Sequence, residues 1–317
     1  MKKIFEVRNK IAVFCKGKQI SPYKFTKVRE INGYLVAYNS TSFTIYDSNG
    51  ISILSKNMMV ESFSDDYILV SKNGYKGIYR FDGKLIVPVD FDEFNFCNKG
   101  IKVKKGDLYG AYSYDGKLIV PVDFDDIYLC NKGIKVKKDD LYGAYSYDGK
   151  LIVSVEFDDI GFYDKKIKVK KDSLYGVYSH DSKLIVSVEF DDICFCDKGI
   201  IFEQDGFLGA YSYDGKLLVP VEFDDINFYD EGIIVEQDDF LGAYSYDGKL
   251  LVPVAFDYIY FCDKGIIFEQ DGLSGAYSYD GKLLAPASFF NISITHTGII
   301  EVQKEKDGSY EIYQEQQ

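Results

Sequence analysis

Short segments of this chain alternate apolar and polar residues with the period of two that is typical of β-strands. In the segment GIKVKK, the alternation places Ile101 and Val103 on one face. Lys102 and Lys104 fall on the opposite face. A second alternating segment, GAYSY, follows, and KLIVP forms a third apolar run. No segment shows a helical period, so the pattern predicts an all-β protein.

An Asp-Gly dipeptide lies between the second and third predicted strands. This dipeptide is a strong hairpin signal, because a type I′ turn needs a positive φ at both central residues. The rest of the pattern, VDFDDIYLCNKG, can hold a short fourth strand or only a connection. We therefore expect structural turn glycines at Gly83, Gly116, Gly149, Gly215, Gly248 and Gly281.

The same pattern recurs every 33 residues. The segment LYGAYSYDGKLIV occurs at Leu108 and again at Leu141, and residues 208–240 match residues 241–273 at 25 of 33 positions. All six prolines occupy one position of the repeat. Because proline cannot donate a hydrogen bond to a sheet, this position is expected at a strand end or on an edge strand.

The repeats fill the whole chain. With the period started at Gly100, nine units occupy residues 1–297, and a half unit occupies residues 298–317. Residues 1–66 form divergent N-terminal units. We therefore expect one repeat array over all 317 residues, without a separate domain.

Repeats of three or four short strands are typical of open arrays and of closed rings. The number of units exceeds the usual 4–8 blades of a β-propeller. The end units are also the most divergent, as expected for caps on an open stack. The sequence therefore favours tandem β-meander repeats in an open superhelical array, with a β-propeller as the alternative.

Composition and charge narrow the function. The chain is 46% hydrophobic and 16% aromatic, which is ample for a folded core, and its net charge of −13 argues against nucleic-acid binding. No apolar run approaches the ~20 residues that cross a bilayer. The N-terminal residues have no apolar core of the signal-peptide type, so we expect a cytoplasmic protein that does not bind membranes.

The repeat resembles the bacterial WG repeat, a tandem β-rich unit. The residues that carry the resemblance, with their equivalents in other repeats, are Gly110, Gly116, Lys117, Pro121, Phe124, Asp125 and Gly133. The chain departs from this family in having no tryptophan. The tryptophan position holds Tyr109, Tyr142, Tyr175, Leu208, Leu241 and Ser274. The resemblance implies a β-rich repeat protein without enzymatic activity.

No residue pattern predicts a catalytic, metal or cofactor site. The carboxylate cluster Asp123, Asp125 and Asp126 recurs in most repeats, which favours turn hydrogen bonds over calcium binding or glycosidase chemistry. Cysteine and tyrosine interchange at one repeat position, which favours reduced thiols. His180 and His296 have no partner at a motif spacing.

Two repeated rows of side chains are candidates for binding. The first row changes midway from basic to apolar and acidic. It consists of Lys102, Lys104, Lys135, Lys137, Lys168, Lys170, Ile201, Ile234 and Ile267, with Glu203, Glu236 and Glu269 in place of the outer lysines. The second row comprises tyrosines of the second strand, which are packing residues or a surface for stacking on sugar: Tyr112, Tyr145, Tyr178, Tyr211, Tyr244 and Tyr277. We expect a non-catalytic scaffold that binds a protein or peptide over an extended surface. A polysaccharide-binding module that uses the tyrosines is the alternative.

Overall fold

The computed structural model describes residues 2–7, 10–164 and 166–313. These residues form β-strands and connecting turns without any helix, so the all-β prediction is confirmed. Among these residues there is no helix long and apolar enough to cross a membrane. The chain divides into two compact units, Met1–Phe162 and Tyr163–Gln317.

The strands of the first unit are β1 (Lys2–Val7), β2 (Lys10–Cys15), β3 (Lys18–Gln19), β4 (Lys27–Ile31), β5 (Tyr34–Tyr38), β6 (Phe43–Tyr46), β7 (Ser52–Lys56), β8 (Met59–Phe63), β9 (Tyr67–Lys72), β10 (Tyr75–Arg80), β11 (Leu85–Phe91), β12 (Glu93–Cys97), β13 (Gly100–Lys105), β14 (Leu108–Tyr112), β15 (Leu118–Phe124), β16 (Asp126–Leu129), β17 (Ile134–Lys138), β18 (Leu141–Tyr145), β19 (Leu151–Phe157) and β20 (Asp159–Phe162).

The strands of the second unit are β21 (Lys166–Lys171), β22 (Leu174–Ser179), β23 (Leu184–Phe190), β24 (Asp192–Phe195), β25 (Ile200–Gln204), β26 (Phe207–Tyr211), β27 (Leu217–Phe223), β28 (Asp225–Phe228), β29 (Ile233–Gln237), β30 (Phe240–Tyr244), β31 (Leu250–Phe256), β32 (Tyr258–Cys262), β33 (Gly265–Gln270), β34 (Leu273–Tyr277), β35 (Leu283–Phe289), β36 (Asn291–Ile294), β37 (Ile300–Gln303) and β38 (Glu311–Ile312).

Most repeats form a four-stranded antiparallel sheet whose strands pair in chain order, as in β12-β13-β14-β15 and β24-β25-β26-β27. The first and last sheets of the described residues, β1-β2-β3 and β36-β37-β38, have three strands. The VDFDDIYL region does contain a short fourth strand, but this strand begins the next sheet. One residue, Asp125, separates β15 from β16, and β16 pairs with β17. Successive sheets therefore begin at Glu93 and at Asp126. Each sheet begins seven residues before the corresponding sequence repeat, which we counted from Gly100.

The Asp-Gly turn differs from the predicted type. Gly116 has a φ of +91°, as expected, whereas Asp115 is not among the residues with positive φ. Ser113 N donates a hydrogen bond to Lys117 O at 2.8 Å, and Gly116 N donates one to Ser113 O at 3.0 Å. These bonds close a three-residue loop in which a type I turn is followed by a left-handed glycine. The two-residue type I′ prediction is wrong here.

Turns with positive φ at two successive residues occur instead between the first and second predicted strands. Asp139 and Asp140 adopt φ values of 51° and 65°, and Asp238 and Asp239 adopt 53° and 67°. The sequence interpretation missed these turns, because in several repeats they contain no glycine.

The proline position lies on the outer edge strand of each four-stranded sheet, as predicted for Pro121 in β15. The pairing of β14 with β15 shifts register around this proline. The shift brings the edge strand over Gly110, where a Cβ atom would lie 2.7 Å from Val122 Cγ2. The glycine at this position is therefore required by close packing.

Both faces of a typical sheet are covered by neighbouring repeats. Ala111 and Val120 lie on the same face as Lys102 by strand register, and they pack with Ile134 and Val136 of the following sheet. An equivalent core joins β24–β27 to β28–β31. The lysine face of GIKVKK is therefore an inter-sheet face in the structure, and its role as a docking surface stays a prediction.

Candidate interaction surface

The inner lysine of each basic repeat is held between two sheets. Lys102 Nζ lies 2.5 Å from Asp126 Oδ1 and 3.0 Å from Ile127 O, at the start of the following sheet. The same ammonium lies 4.2 Å from the centroid of the Tyr109 ring, within cation–π range. Because the Lys102 side chain is only 22% exposed, this group links sheets and is not a free charge.

This arrangement recurs in the next two repeats. Lys135 pairs with Asp159 at 2.5 Å and lies 4.1 Å from the Tyr142 ring centroid. Lys168 pairs with Asp192 at 2.7 Å. The Lys168 ammonium, by its hydrogen bond, holds the pKa of Asp192 below its ordinary value. We call each Lys–Tyr–Asp set an inter-sheet clamp.

The outer lysines lie over the same tyrosine rings from the facing position of the neighbouring strand. Lys104 Nζ is 5.5 Å from the Tyr109 ring centroid, and Lys170 Nζ is 5.2 Å from the Tyr175 centroid. Lys137 pairs with Asp140 at 2.8 Å. All six predicted lysines therefore have partners within their own repeats or the next one.

The isoleucines that replace the inner lysines are packing residues. Ile234 is 7% exposed and Ile267 is 3% exposed, each within the core between successive sheets. Ile201 is half-buried beside the equivalent core. The predicted continuous apolar strip is therefore not an exposed surface. The replacement is also correlated, because the tyrosine of the clamp becomes Leu208 or Leu241 where lysine becomes isoleucine.

The predicted tyrosine row also lies in the packing between sheets. Tyr112 meets Phe91 of the preceding sheet edge to face, with ring centroids 5.8 Å apart. The half-buried tyrosines with the same contact to a preceding phenylalanine are Tyr145, Tyr211 and Tyr244. Burial raises the pKa of Tyr112. These ring contacts make the tyrosines packing residues between sheets, and the use of these residues for stacking on a polysaccharide stays a prediction.

A second tyrosine row, in the turns, closes loops within each sheet. Tyr147 Oη donates a hydrogen bond to Cys130 O at 2.6 Å, and Tyr279 Oη donates one to Cys262 O at 2.6 Å. Burial raises the pKa of Tyr147 to about 12. His180 occupies the same position, with Nε2 3.1 Å from Tyr163 O. The histidine thus replaces the tyrosine hydroxyl as a hydrogen-bond donor.

The repeated carboxylates have separate structural partners. Asp125 Oδ2 accepts a hydrogen bond from Asp139 N at 2.8 Å and so fixes the hairpin turn. Asp123 pairs with Lys138 at 2.6 Å, and Asp126 pairs with Lys102. The bond from Asp139 N is the kind of turn interaction that the sequence favours for Asp125. In the described ranges, no three His, Cys, Asp or Glu side chains form a group suited to a metal ion.

The six cysteines are free in the structure. Cys194 and Cys196 are close neighbours, and burial followed by the neighbouring Cys194 thiol raises the pKa of Cys196 to about 11. At such a pKa the Cys196 thiol is protonated at neutral pH, which disfavours nucleophilic reactivity.

One exposed row of large apolar side chains was missed by the sequence interpretation. The first residue of each successive edge strand is a leucine that follows the Asp-Gly-Lys or Asp-Ser-Lys turn, with 42–47% exposure. We call this row the leucine row; its members are Leu85, Leu118 and Leu151 in the first unit and Leu184, Leu217, Leu250 and Leu283 in the second. The sequence signal for this row is a leucine at a constant position after the turn, at the start of the predicted strand KLIVP.

The family described as "WG containing repeat" matches residues 142–175 and 209–238. The prediction of WG repeats is therefore confirmed at these two places, where the chain matches the repeat family. No curated protein matches the chain significantly.

Among solved structures, Hsv2 of Kluyveromyces lactis is similar at 11% identity, over 90% of this chain and 96% of that chain, with a TM-score of 0.24. PorZ of Porphyromonas gingivalis, a bacterial surface component of the type-IX secretion system, is similar at 11% identity. This second match covers 92% of this chain and 53% of that chain, with a TM-score of 0.24. Such low TM-scores carry no argument about the arrangement or function of this chain.

Proposed function

We propose that this protein is a non-catalytic repeat scaffold that binds a protein or peptide partner over an extended surface. The observation that carries the proposal is the leucine row. Isolated exposed leucines are ordinary on protein surfaces, whereas an apolar row of this kind is typical of an interaction site. The proposed function is the same as the one expected from the sequence. The surface that we assign to it is now the leucine row instead of the lysine–isoleucine row.

The position of the leucine row favours recognition through side chains. Each leucine begins an edge strand, and in five of the seven strands a proline three residues later removes a hydrogen-bond donor that an added strand could use. The other two strands have Ser154 and Ser187 there. A partner that lies across several repeats would therefore bury leucine side chains from successive sheets. Burial of apolar surface contributes about 25 cal/mol per Å² to the binding free energy, so several leucines buried together would stabilise the complex.

The repeated polar residues support a non-catalytic role. The carboxylates, clamp lysines and turn tyrosines form the same structural bonds in repeat after repeat. A catalytic site instead requires a distinctive group of polar residues held together. This argument favours scaffold over enzyme.

We place the protein in the bacterial cytoplasm. The six free cysteines support this location, because exposed thiols persist in a reducing compartment and tend to pair in an oxidising one. The bacterial origin rests on the WG repeat.

Affinity capture of a partner from bacterial cytoplasm, followed by binding measurements with the purified partner, tests the proposal. The variant Leu118→Ser with Leu151→Ser should weaken binding by about tenfold or more through lost apolar burial. A matched control, Leu108→Ser with Leu141→Ser, changes leucines outside the leucine row. Equal binding by wild type and the first variant would contradict the proposal. Stoichiometric binding on a glycan array without any protein partner would favour the polysaccharide alternative.

A further inference from the structure

The two compact units differ strongly in charge. Residues 1–162 contain 24 Lys and Arg against 21 Asp and Glu, a net charge of +3. Residues 163–317 contain 13 against 29, a net charge of −16. The acidity of the chain is therefore confined to the second unit, and the repeat allows the residues responsible to be compared position by position.

In the first unit, one surface corner of each basic repeat is a neutral ion pair beside a leucine. Lys105 Nζ lies 2.5 Å from Asp90 Oδ2, and Leu108 faces Lys105 across the hairpin. The next repeat has the same corner, with Lys138 2.6 Å from Asp123. Here the carboxylate of one repeat is neutralised by the lysine of the next.

The equivalent corners lie 99 residues further on, in the second unit, and lack the lysine. Gln204 replaces Lys105, and Glu189 keeps the acid. The leucine becomes Phe207, which faces Gln204 across the hairpin and is 44% exposed. Within the described part of the chain, no ion pair involves Glu189.

The following repeat carries the same three replacements. Gln237 replaces the lysine and Glu222 keeps the acid, again without an ion pair among the described residues. Phe240 replaces the leucine and is 45% exposed. We call these two sets acidic corners; they consist of Glu189, Gln204, Asp205 and Phe207, and of Glu222, Gln237, Asp238 and Phe240.

Ordinary surface drift does not account for this combination. Two successive repeats lose the lysine while keeping the acid, which leaves a negative charge without its ion pair, and both also exchange leucine for phenylalanine. The carboxylates also add to existing acidity, since Asp205 and Asp238 lie in the turns that precede the phenylalanines. Phe207 faces Gln204, which occupies the position from which Lys105 reaches Asp90 in the first unit, so register places the ring and the acid at the same corner. A carboxylate and an exposed aromatic ring at one corner can bind an ammonium or guanidinium group, by ion pairing and by cation–π contact.

We propose that the two acidic corners bind a cationic segment of a protein partner, with one arginine or lysine at each corner. This inference rests on the proposed scaffold function and names the chemistry of the partner. The corners belong to successive sheets, which pack face to face about 10 Å apart. Two cationic residues at this distance are three apart in an extended segment, at about 3.3 Å per residue.

A fluorescein-labelled peptide, Arg-Leu-Leu-Arg-Leu-Leu-Arg, tests the inference by fluorescence anisotropy at about 150 mM salt. The variant Gln204→Lys with Gln237→Lys restores the ion pairs seen in the first unit and should weaken binding by about tenfold. The control Asn227→Lys with Thr297→Lys adds the same charge at exposed positions elsewhere in the unit, and should weaken binding by less than about threefold. Equal weakening by both variants would show a diffuse charge effect only and would overturn the inference.

A second comparison isolates the aromatic rings. The variant Phe207→Leu with Phe240→Leu restores the leucines of the first unit without changing charge, and should weaken the same peptide by about threefold to tenfold. Unchanged peptide binding by this variant would show that the phenylalanine rings do not contact the peptide. A captured partner that binds both corner variants as it binds wild type would overturn this inference and leave the scaffold proposal standing. Failure to capture any partner would count against the scaffold itself.

Discussion

At the residue scale, the turn glycines follow directly from backbone conformation. Gly215 has a φ of +93°, and an added Cβ would lie 3.1 Å from Ile185 O. A β-branched side chain is strained in this conformation and also meets backbone. Gly215→Val should therefore lower the free energy of unfolding by roughly 1–2 kcal/mol or more, measured by thermal or urea unfolding.

The seventh turn supplies the opposite substitution. Ser182 occupies the glycine position with a φ of 79°. Ser182→Gly removes the left-handed strain and should stabilise the protein by up to about 1 kcal/mol. An unfolding transition unchanged in both variants would mean that these turns do not have the assigned conformation.

The cysteines give a second prediction at this scale. All six are free, and burial raises the pKa of Cys196 to about 11, which disfavours oxidation of that thiol. Alkylation after denaturation should modify all six thiols, and native alkylation should favour exposed Cys194 over buried Cys15. A mass lower by two hydrogens, retained after non-reducing denaturation, would reveal a disulfide and argue against a reducing compartment.

At the scale of the element, the inter-sheet clamps predict which charge changes destabilise the fold. Lys135 is 20% exposed and pairs with Asp159, which is 64% exposed. Lys135→Glu places two carboxylates together at a half-buried position, and we expect a loss of about 1–2 kcal/mol, the exposure of Asp159 keeping the value low. Lys84→Glu, at an exposed position without such a pair, should change stability by less than about 0.5 kcal/mol.

The chain itself contains a compatible replacement for the clamp. Where Ile201 replaces the lysine, Leu208 replaces the tyrosine. Lys135→Ile with Tyr142→Leu should therefore retain near wild-type stability, because apolar packing replaces the ion pair and the cation–π contact. If Lys135→Glu unfolds at the wild-type temperature, the lysines are solvated surface charges and the clamp is not structural.

The strands, their order and the turn glycines could be predicted, because alternation and glycine position are local properties. The residues that cover each face of a strand could not be predicted in this way. Alternation assigns Lys102 to a polar face, but the structure uses this face for an Asp126 ion pair and a Tyr109 ring contact. The turn type was also wrong, because the bond between Ser113 and Lys117 lengthens the loop by one residue relative to an Asp-Gly type I′ turn.

At the scale of the whole molecule, the repeat was predictable and the interaction surface was not. Internal duplication is visible in the letters, whereas the leucine row and the acidic corners depend on which side chains remain uncovered after the sheets pack. Glu189 and Asp90 occupy the same repeat position and are both acidic. Their environments differ because Asp90 pairs with Lys105, whereas the position of Lys105 holds Gln204 in the repeat of the second unit. A position-by-position comparison of repeats, made before the structure, could have found this difference.

The last prediction concerns cooperativity along the array. The hydrophobic cores join residues of adjacent sheets, as in the core shared by β28–β31 and β32–β33. Such nearest-neighbour packing makes stability an approximate sum over repeats. In the open array that the sequence favours, a chain ending at Lys264 should retain β-sheet circular dichroism and unfold at a lower temperature than the full chain. A closed ring has no free end to shorten, so complete loss of the β-sheet signal in the shortened chain would contradict the open array.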